Sequence, residues 1–270
     1  MLKEKLLFVI DWLIEPRSIS TVLIAIVTLL GLNYTIFSLI APFKTVNDIN
    51  NSIVITDKHK RMPALSNSEI KMLYREQAFY ESRLELAKSD SLILAINFPD
   101  SMISVEIKGI PIHSIPLRRF EIPRFFSLLN NNVYHEIYSR PHRIISSHAT
   151  SKKEPIMVVN APKDTNEYNA SGIKENYDTN VIRLTFVEYE ITTGTRLVFI
   201  PLDERNFHNQ LIDFGFNIRL AFCRFKDAFR ASLQLSIPEY KPVVKVYLPQ
   251  GDILSMHRAI PEHAELCVQF

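Results

Sequence analysis

The sequence predicts an α+β protein: an N-terminal transmembrane helix, a stalk helix, and then a mostly antiparallel, β-rich domain. Three observations predict it. Ser18 to Phe43 carries no charge between Arg17 and Lys44, and at ~1.5 Å of rise per residue it exceeds the ~20 apolar residues that cross a bilayer core. Leu65 to Lys88 places apolar residues at helical spacing behind a helix-start signal. From Ser91 onward the apolar period shortens to two, in short runs set apart by Pro, Asp, Ser and Gly. The chain therefore divides into an amphipathic interfacial segment (1–17), a transmembrane helix (18–43), a linker (44–64), the stalk helix (65–89) and the β-rich domain (90–270).

Residues 1–15 alternate apolar blocks with Lys3, Glu4, Lys5, Asp11 and Glu15, as a short helix on a membrane surface does, and Trp12 suits an interfacial position. The apolar stretch is longer than the ~7–15 residues of a signal-peptide core, and no A-x-A cleavage site follows it, so an uncleaved signal anchor is expected. Nearby bases number three before the span (Lys3, Lys5, Arg17) and four after it (Lys44, Lys58, Lys60, Arg61), which does not orient it. Large domains translocate largely regardless of charge, and the β-rich domain is placed outside the cytoplasm. Within the span, Gly31 and Asn33 are the helix-association candidates: a glycine lets backbones approach, and an amide can hydrogen-bond a neighbouring helix. An amide tolerated near the interface fits Asn33 equally well.

Ser66-x-x-Glu69 is a capping box, in which two side chains satisfy free N–H groups at the helix start. Ile70, Leu73, Gln77, Tyr80, Leu84 and Ala87 follow at steps of 3, 4, 3, 4 and 3. That is a heptad seam of under three repeats, interrupted by Gln77. It suits a helix packed on its own domain or one that self-associates, the latter through Ile70, Leu73, Tyr80 and Leu84.

In the β-rich domain, strands are expected over 91–98, 103–108 and 110–117 as a meander, then a short helix with loops over 118–140. Residues 146–180 read as a polar insertion around an island at 156–159, and 180–202 as a hairpin turning at Thr192 to Thr195. One or two further strands are expected over 217–235. Val243 to Leu248 should form a strand, Gly251 to Ala259 a helix and Glu265 to Phe270 a closing strand.

The stretches SLILAINFPDSMISVEIKGIPIHSIPL (91–117) and VYLPQGDILSMHRAIPEHAELCVQF (246–270) are similar to the opening and closing of the L,D-transpeptidase catalytic domain, with Asp252, Ile260 and Pro261 at matching places. That family, in bacteria, cross-links peptidoglycan stem peptides outside the cytoplasmic membrane. The resemblance implies a β-rich fold, covers about a third of the domain, and places Pro242, Val243, Val244 and Lys245 where the family carries its Ser-His-Gly-Cys motif. A thiolate nucleophile and an imidazole base are therefore missing, and Lys245 stands where the nucleophile would be. Cys223 with His208 lacks the adjacent glycine and histidine of that arrangement.

No other catalytic, metal or phosphate-binding motif is present, so no catalytic residue, metal or cofactor is expected. Cys223 and Cys267 are too far apart for C-x-x-C chemistry and read as packing residues, their pairing left open. His142 and His148 read as solvent-exposed loop residues, and His257 and His263 as complements to a helix C-terminus. With 31 bases against 29 acids, nothing signals nucleic-acid binding, and the basic-aromatic stretch 118–140 reads as a rim on the core. The functional expectation is a single-pass inner-membrane protein with its C-terminal domain in the periplasm. Its β-rich domain is a transpeptidase-like pseudoenzyme binding peptidoglycan or an envelope protein. The alternatives are a subunit of a secretion or motility complex, assembled with a second copy or other proteins through its helices, and an enzyme of unrecognised type.

Overall fold

The computed structural model describes residues 19–52, 68–150, 186–202, 207–234 and 236–270. The expectations for 1–17, the linker from 53 onward, Ser66 of the capping box and the island at 156–159 lie outside these residues. The chain forms two compact units, one of residues 1–53 with 214–240, the other of 54–213 with 241–270.

The first unit is helical. Helix α1 (Ile19–Ser52) continues nine residues past Phe43, through Pro42 and over the first part of the expected linker. Two of its hydroxyls are satisfied within the helix: that of Thr28 donates to Ile24 O at 2.7 Å and that of Thr35 to Leu32 O at 2.8 Å. Hydroxyls bonded this way need no water. Its partner comes from 214–240, within which one or two strands were expected over 217–235. The strand expectation is overturned, because Phe207–Leu233 is one long helix.

The second unit is α+β and mostly antiparallel. Helix α2 (Ser68–Leu86) leads into β1 (Ile93–Asn97), β2 (Met102–Ile107) and β3 (Ile110–Pro116), the expected meander. The β2–β3 turn is Lys108-Gly109, with φ of 53° and 76°. Positive φ at both central residues matches the right-handed twist of the flanking strands. Glycine serves there for a second reason: a Cβ on Gly109 would lie 3.1 Å from that of Ala87.

The chain continues through β4 (Arg119–Glu121), α3 (Phe125–Leu128), α4 (Asn131–Tyr138), β5 (His142–Ala149), β6 (Val187–Ile191) and β7 (Arg196–Pro201). Then come α5 (Phe207–Leu233), β8 (Val243–Leu248), α6 (Gln250–Ala259) and β9 (Glu265–Gln269). The hairpin turning at 192–195 is present as β6–β7. The sheet order is β3-β2-β1-β9-β5-β6-β7-β8-β4, antiparallel except for β1–β9 and β7–β8. A parallel pair cannot be joined by a tight turn, and residues 202–242 supply the β7–β8 connection.

The two ends of this order, β3 and β4, are separated in the chain only by Leu117 and Arg118. Three Cα steps cover at most ~11 Å, whereas nine strands laid flat would set their edges ~38 Å apart. The sheet therefore curls on itself. One face buries Leu94, Ile96, Phe199, Val244, Val246 and Leu266 fully or nearly so, and on the opposite face of β1 and β9 the side chains of Phe79 and Leu86 of α2 pack over Ile93, Ala95 and Cys267.

Candidate functional site

The transpeptidase-motif positions fall at the start of β8. Val243 and Val244 are buried, and Lys245 pairs in register with Glu121 of β4, as Tyr247 does with Arg119. Residues two apart on a strand share a face, so these four side chains meet. The Lys245 ammonium lies 3.8 Å from Glu121, whose other oxygen accepts from Arg119 at 2.9 Å and from the Tyr247 hydroxyl at 3.1 Å. Arg119 also stacks over the Tyr247 ring, 4.4 Å from its centroid. Lys245 is thus held as one cation of a charged cross-strand ladder. Pro242, Val243 and Val244 offer no group that can carry a proton.

The thiols are separate and free. Cys267 is fully buried in β9, and burial pushes its pKa upward, so the reactive thiolate is disfavoured. Cys223 and His208 both lie on α5, fifteen residues apart, which along a helix is about 22 Å. They cannot act on one bond. Among the described residues no group of three His, Cys, Asp or Glu is placed to hold a metal.

Of the histidine expectations, the exposed-loop reading of His142 is overturned. His142 is buried on β5, its Nδ1 3.3 Å from the Thr192 hydroxyl, and burial lowers its pKa to about 4. His148 is exposed as expected, on the strand rather than in a loop. His257 is buried with Nδ1 2.8 Å from the Tyr189 hydroxyl, a polar tie between α6 and β6 inside the core. His263 has its Nδ1 3.2 Å from Ile144 O.

The sequence missed a buried polar anchor between α2 and the sheet. Arg83 forms a forked pair with Glu106 of β2 (2.9 and 2.8 Å), and the Ser104 hydroxyl donates to the same carboxylate at 2.5 Å. Glu106 is fully buried. Arg75 joins the helix to the far end of the sheet, donating to Phe126 O and Phe270 O and lying over the Tyr134 ring. In ISVEIK Glu106 falls on the polar alternate set with Ser104 and Lys108, which reads as solvent-facing, so the strand pattern carried no signal of its burial.

The association candidates separate into two outcomes. On α2, Tyr74, Ala78, Phe79, Ser82 and Leu86 face the core, and the heptad residues Ile70, Leu73, Tyr80 and Leu84 are exposed on the other side. The helix is packed on its own domain and leaves its seam open. On α1, a Cβ built at Gly31 meets nothing within 4 Å. Asn33 is engaged inside its own unit: Ser232 Oγ lies 2.8 Å from Asn33 Oδ1 and 2.8 Å from Ala228 O. One hydroxyl proton serves one acceptor, and turning the Asn33 amide lets its NH2 donate to the hydroxyl while the hydroxyl donates to Ala228. Phe225 packs on Tyr34 with ring centroids 6.0 Å apart, and Tyr240 N donates to the Thr45 hydroxyl.

Before that contact α1 is bare: Leu23, Ile24, Ile26, Val27 and Leu29 are exposed round the helix, and farther on Leu32, Ile36 and Leu39 are exposed on the side away from half-buried Asn33, Tyr34 and Phe37 and buried Ala41. The helix is long and apolar enough to span a membrane, and its most apolar window has no buried residue. A helix hydrophobic all round is normally enclosed by protein or by lipid. No protein-family model matches this sequence, and no curated protein or solved structure matches it.

Proposed function

We propose that the protein is a membrane-anchored, non-catalytic component of the cell envelope, in which α1 crosses the inner membrane once and the sheet domain faces the periplasm. That domain is a degenerate L,D-transpeptidase-like module that binds peptidoglycan or an envelope protein. The observation that carries the anchor is the ring of exposed apolar side chains on α1 between Leu23 and Leu29, continued on one side by Leu32, Ile36 and Leu39. Support for the module comes from β1 and β9, the strands within the two stretches of resemblance, which are paired neighbours in one sheet. The engagement of Lys245 with Glu121 supports its lack of transpeptidase chemistry.

A second reading, a structural subunit of a membrane complex such as a secretion or motility machine, is favoured by the open seam of α2, whose 3-4 spacing suits another helix. Two measurements test these. A reporter fused after Phe270 should register the periplasmic side, and a cytoplasmic signal overturns the peptidoglycan reading. The chain lacking residues 1–64 should co-sediment with purified cell-wall sacculi. If it stays in the supernatant while the full chain co-purifies with membrane proteins, the subunit reading replaces the wall-binding one.

A further inference from the structure

Helix α5, where strands were expected over 217–235, takes no part in the reading above, yet it carries a continuous exposed apolar face. Phe214, Ile218, Phe222, Phe225 and Phe229 are all exposed. At 100° per residue they fall within about 80° of arc. Along one edge of this stripe run Arg219, Lys226 and Arg230, also exposed. Along the other lie Ala228, buried, and Ser232, half-buried, the latter beside Asn33 of α1. From Phe214 to Leu233 there are four bases and a single acid, Asp227, which lies far round the helix from the stripe.

We propose that this face of α5 lies in the interface of the bilayer that α1 crosses, with the five apolar side chains at the acyl boundary and Arg219, Lys226 and Arg230 at the phosphates of anionic lipids. The inference rests on the membrane-anchor reading of α1. Three observations carry it. An aromatic stripe beside a basic ridge is the composition of a helix lying in a membrane surface. The position along α1 fits as well: its 34 residues extend about 51 Å against the ~30 Å of a hydrocarbon core. A core beginning at Ile19 is therefore crossed by about residue 38. α5 meets α1 at Asn33 and Tyr34, within about 8 Å of that end of the core, and the segment after α5 reaches α1 at Thr45, beyond it. Finally, charge argues against a second copy docking stripe on stripe, because the basic ridges would then meet each other without acidic counterparts.

The test uses the full chain reconstituted into phosphatidylcholine vesicles with or without phosphatidylglycerol. An environment-sensitive fluorophore is placed by Phe222→Cys in one protein and Val27→Cys in another, each with Cys223→Ser; buried Cys267 is out of the label's reach. Nitroxide-bearing lipids should quench both labels, the one at 222 most strongly when the nitroxide is shallow. The combined change Arg219→Glu, Lys226→Glu and Arg230→Glu should weaken quenching at 222 several-fold in phosphatidylglycerol vesicles and leave that at 27 unchanged. Quenching at 27 without quenching at 222 overturns the placement of α5 and leaves the anchor standing. Absence at both overturns the anchor reading itself. A label at 222 shielded from lipid and aqueous quenchers alike shows that protein covers the stripe, which also overturns the inference. Quenching at 222 that survives charge reversal overturns the role of anionic lipid.

Discussion

Arg83, Glu106 and Ser104 show why a buried charge needs all its partners. Glu106 has no exposed surface and its carboxylate accepts three hydrogen bonds, two from Arg83 and one from Ser104. Removing one partner of a buried pair leaves an uncompensated charge, whereas replacing both by apolar groups is far less costly. Arg83→Met should therefore lower stability by about 3–5 kcal/mol, and Arg83→Met with Glu106→Leu should recover most of the loss. Urea unfolding of the three proteins checks this, and a double variant no better than the single one overturns it. His142 supplies a pH dependence of fixed sign. Burial holds its folded pKa at about 4, below the ordinary histidine value of 6.5. As pH falls below that value the unfolded chain takes up a proton that the folded chain refuses. Stability is then full above pH ~6.5 and is lost as pH drops to about 4, by something of the order of 3 kcal/mol. His142→Gln should remove that part of the pH profile of the urea midpoint, and a profile unchanged by the substitution overturns the assignment.

The elements differ in how clearly the sequence announced them. Helix α2 was legible as a helix, but its buried face was not, since the 3-4 run of Ile70, Leu73, Tyr80 and Leu84 is the most regular apolar pattern it has. The core instead takes Ala78, Phe79, Ser82 and Leu86, among them small and polar residues that periodicity does not score. Phe79→Ala should accordingly cost about 3–5 kcal/mol and Leu84→Ala within about 0.5 kcal/mol. Urea unfolding of the two variants separates the faces, and equal losses would mean that the seam is covered. For α5 the strand expectation came from the local mixture of Phe, Ile and Arg at 218–225, which a short window cannot tell from a β run. The spacing of Phe214, Ile218, Phe222, Phe225 and Phe229 over four turns was the helical signal, and only a longer window contains it. The meander, the 187–201 hairpin and the closing strand–helix–strand were legible because each is bounded by Gly, Pro or Asp and has its own short period. The ladder around Lys245 was not, because β4 and β8 are 121 and 245 in the chain and only the curl of the sheet brings Glu121 to Lys245.

At the scale of the whole molecule the two units interleave in sequence. The chain passes between them near 53, 213 and 240, and all nine strands of the described residues, with the helices α2, α3, α4 and α6, lie in the second unit. Every strand pairing and the core cluster of Phe79, Leu86, Ile93, Ala95 and Cys267 are internal to that unit. The described packing of 214–240 is different in kind, because it is made with α1 through Asn33, Tyr34 and Thr45. A chain beginning at Val54 should therefore keep the sheet and lose the partner of α5. The expected result is cooperative urea unfolding with strong hydrogen-exchange protection in β1, β2, β7, β8 and β9, and protection in 214–234 lowered by orders of magnitude, since a helix on its own is marginal in water. Because residues 202–242 still connect β7 to β8, fraying of α5 lengthens a loop, and each doubling of loop length costs only about 0.6 kcal/mol. Loss of protection throughout the strands would show that α1 is part of the sheet domain's folding unit. Full retention in 214–234 would show that α5 is held by something other than α1.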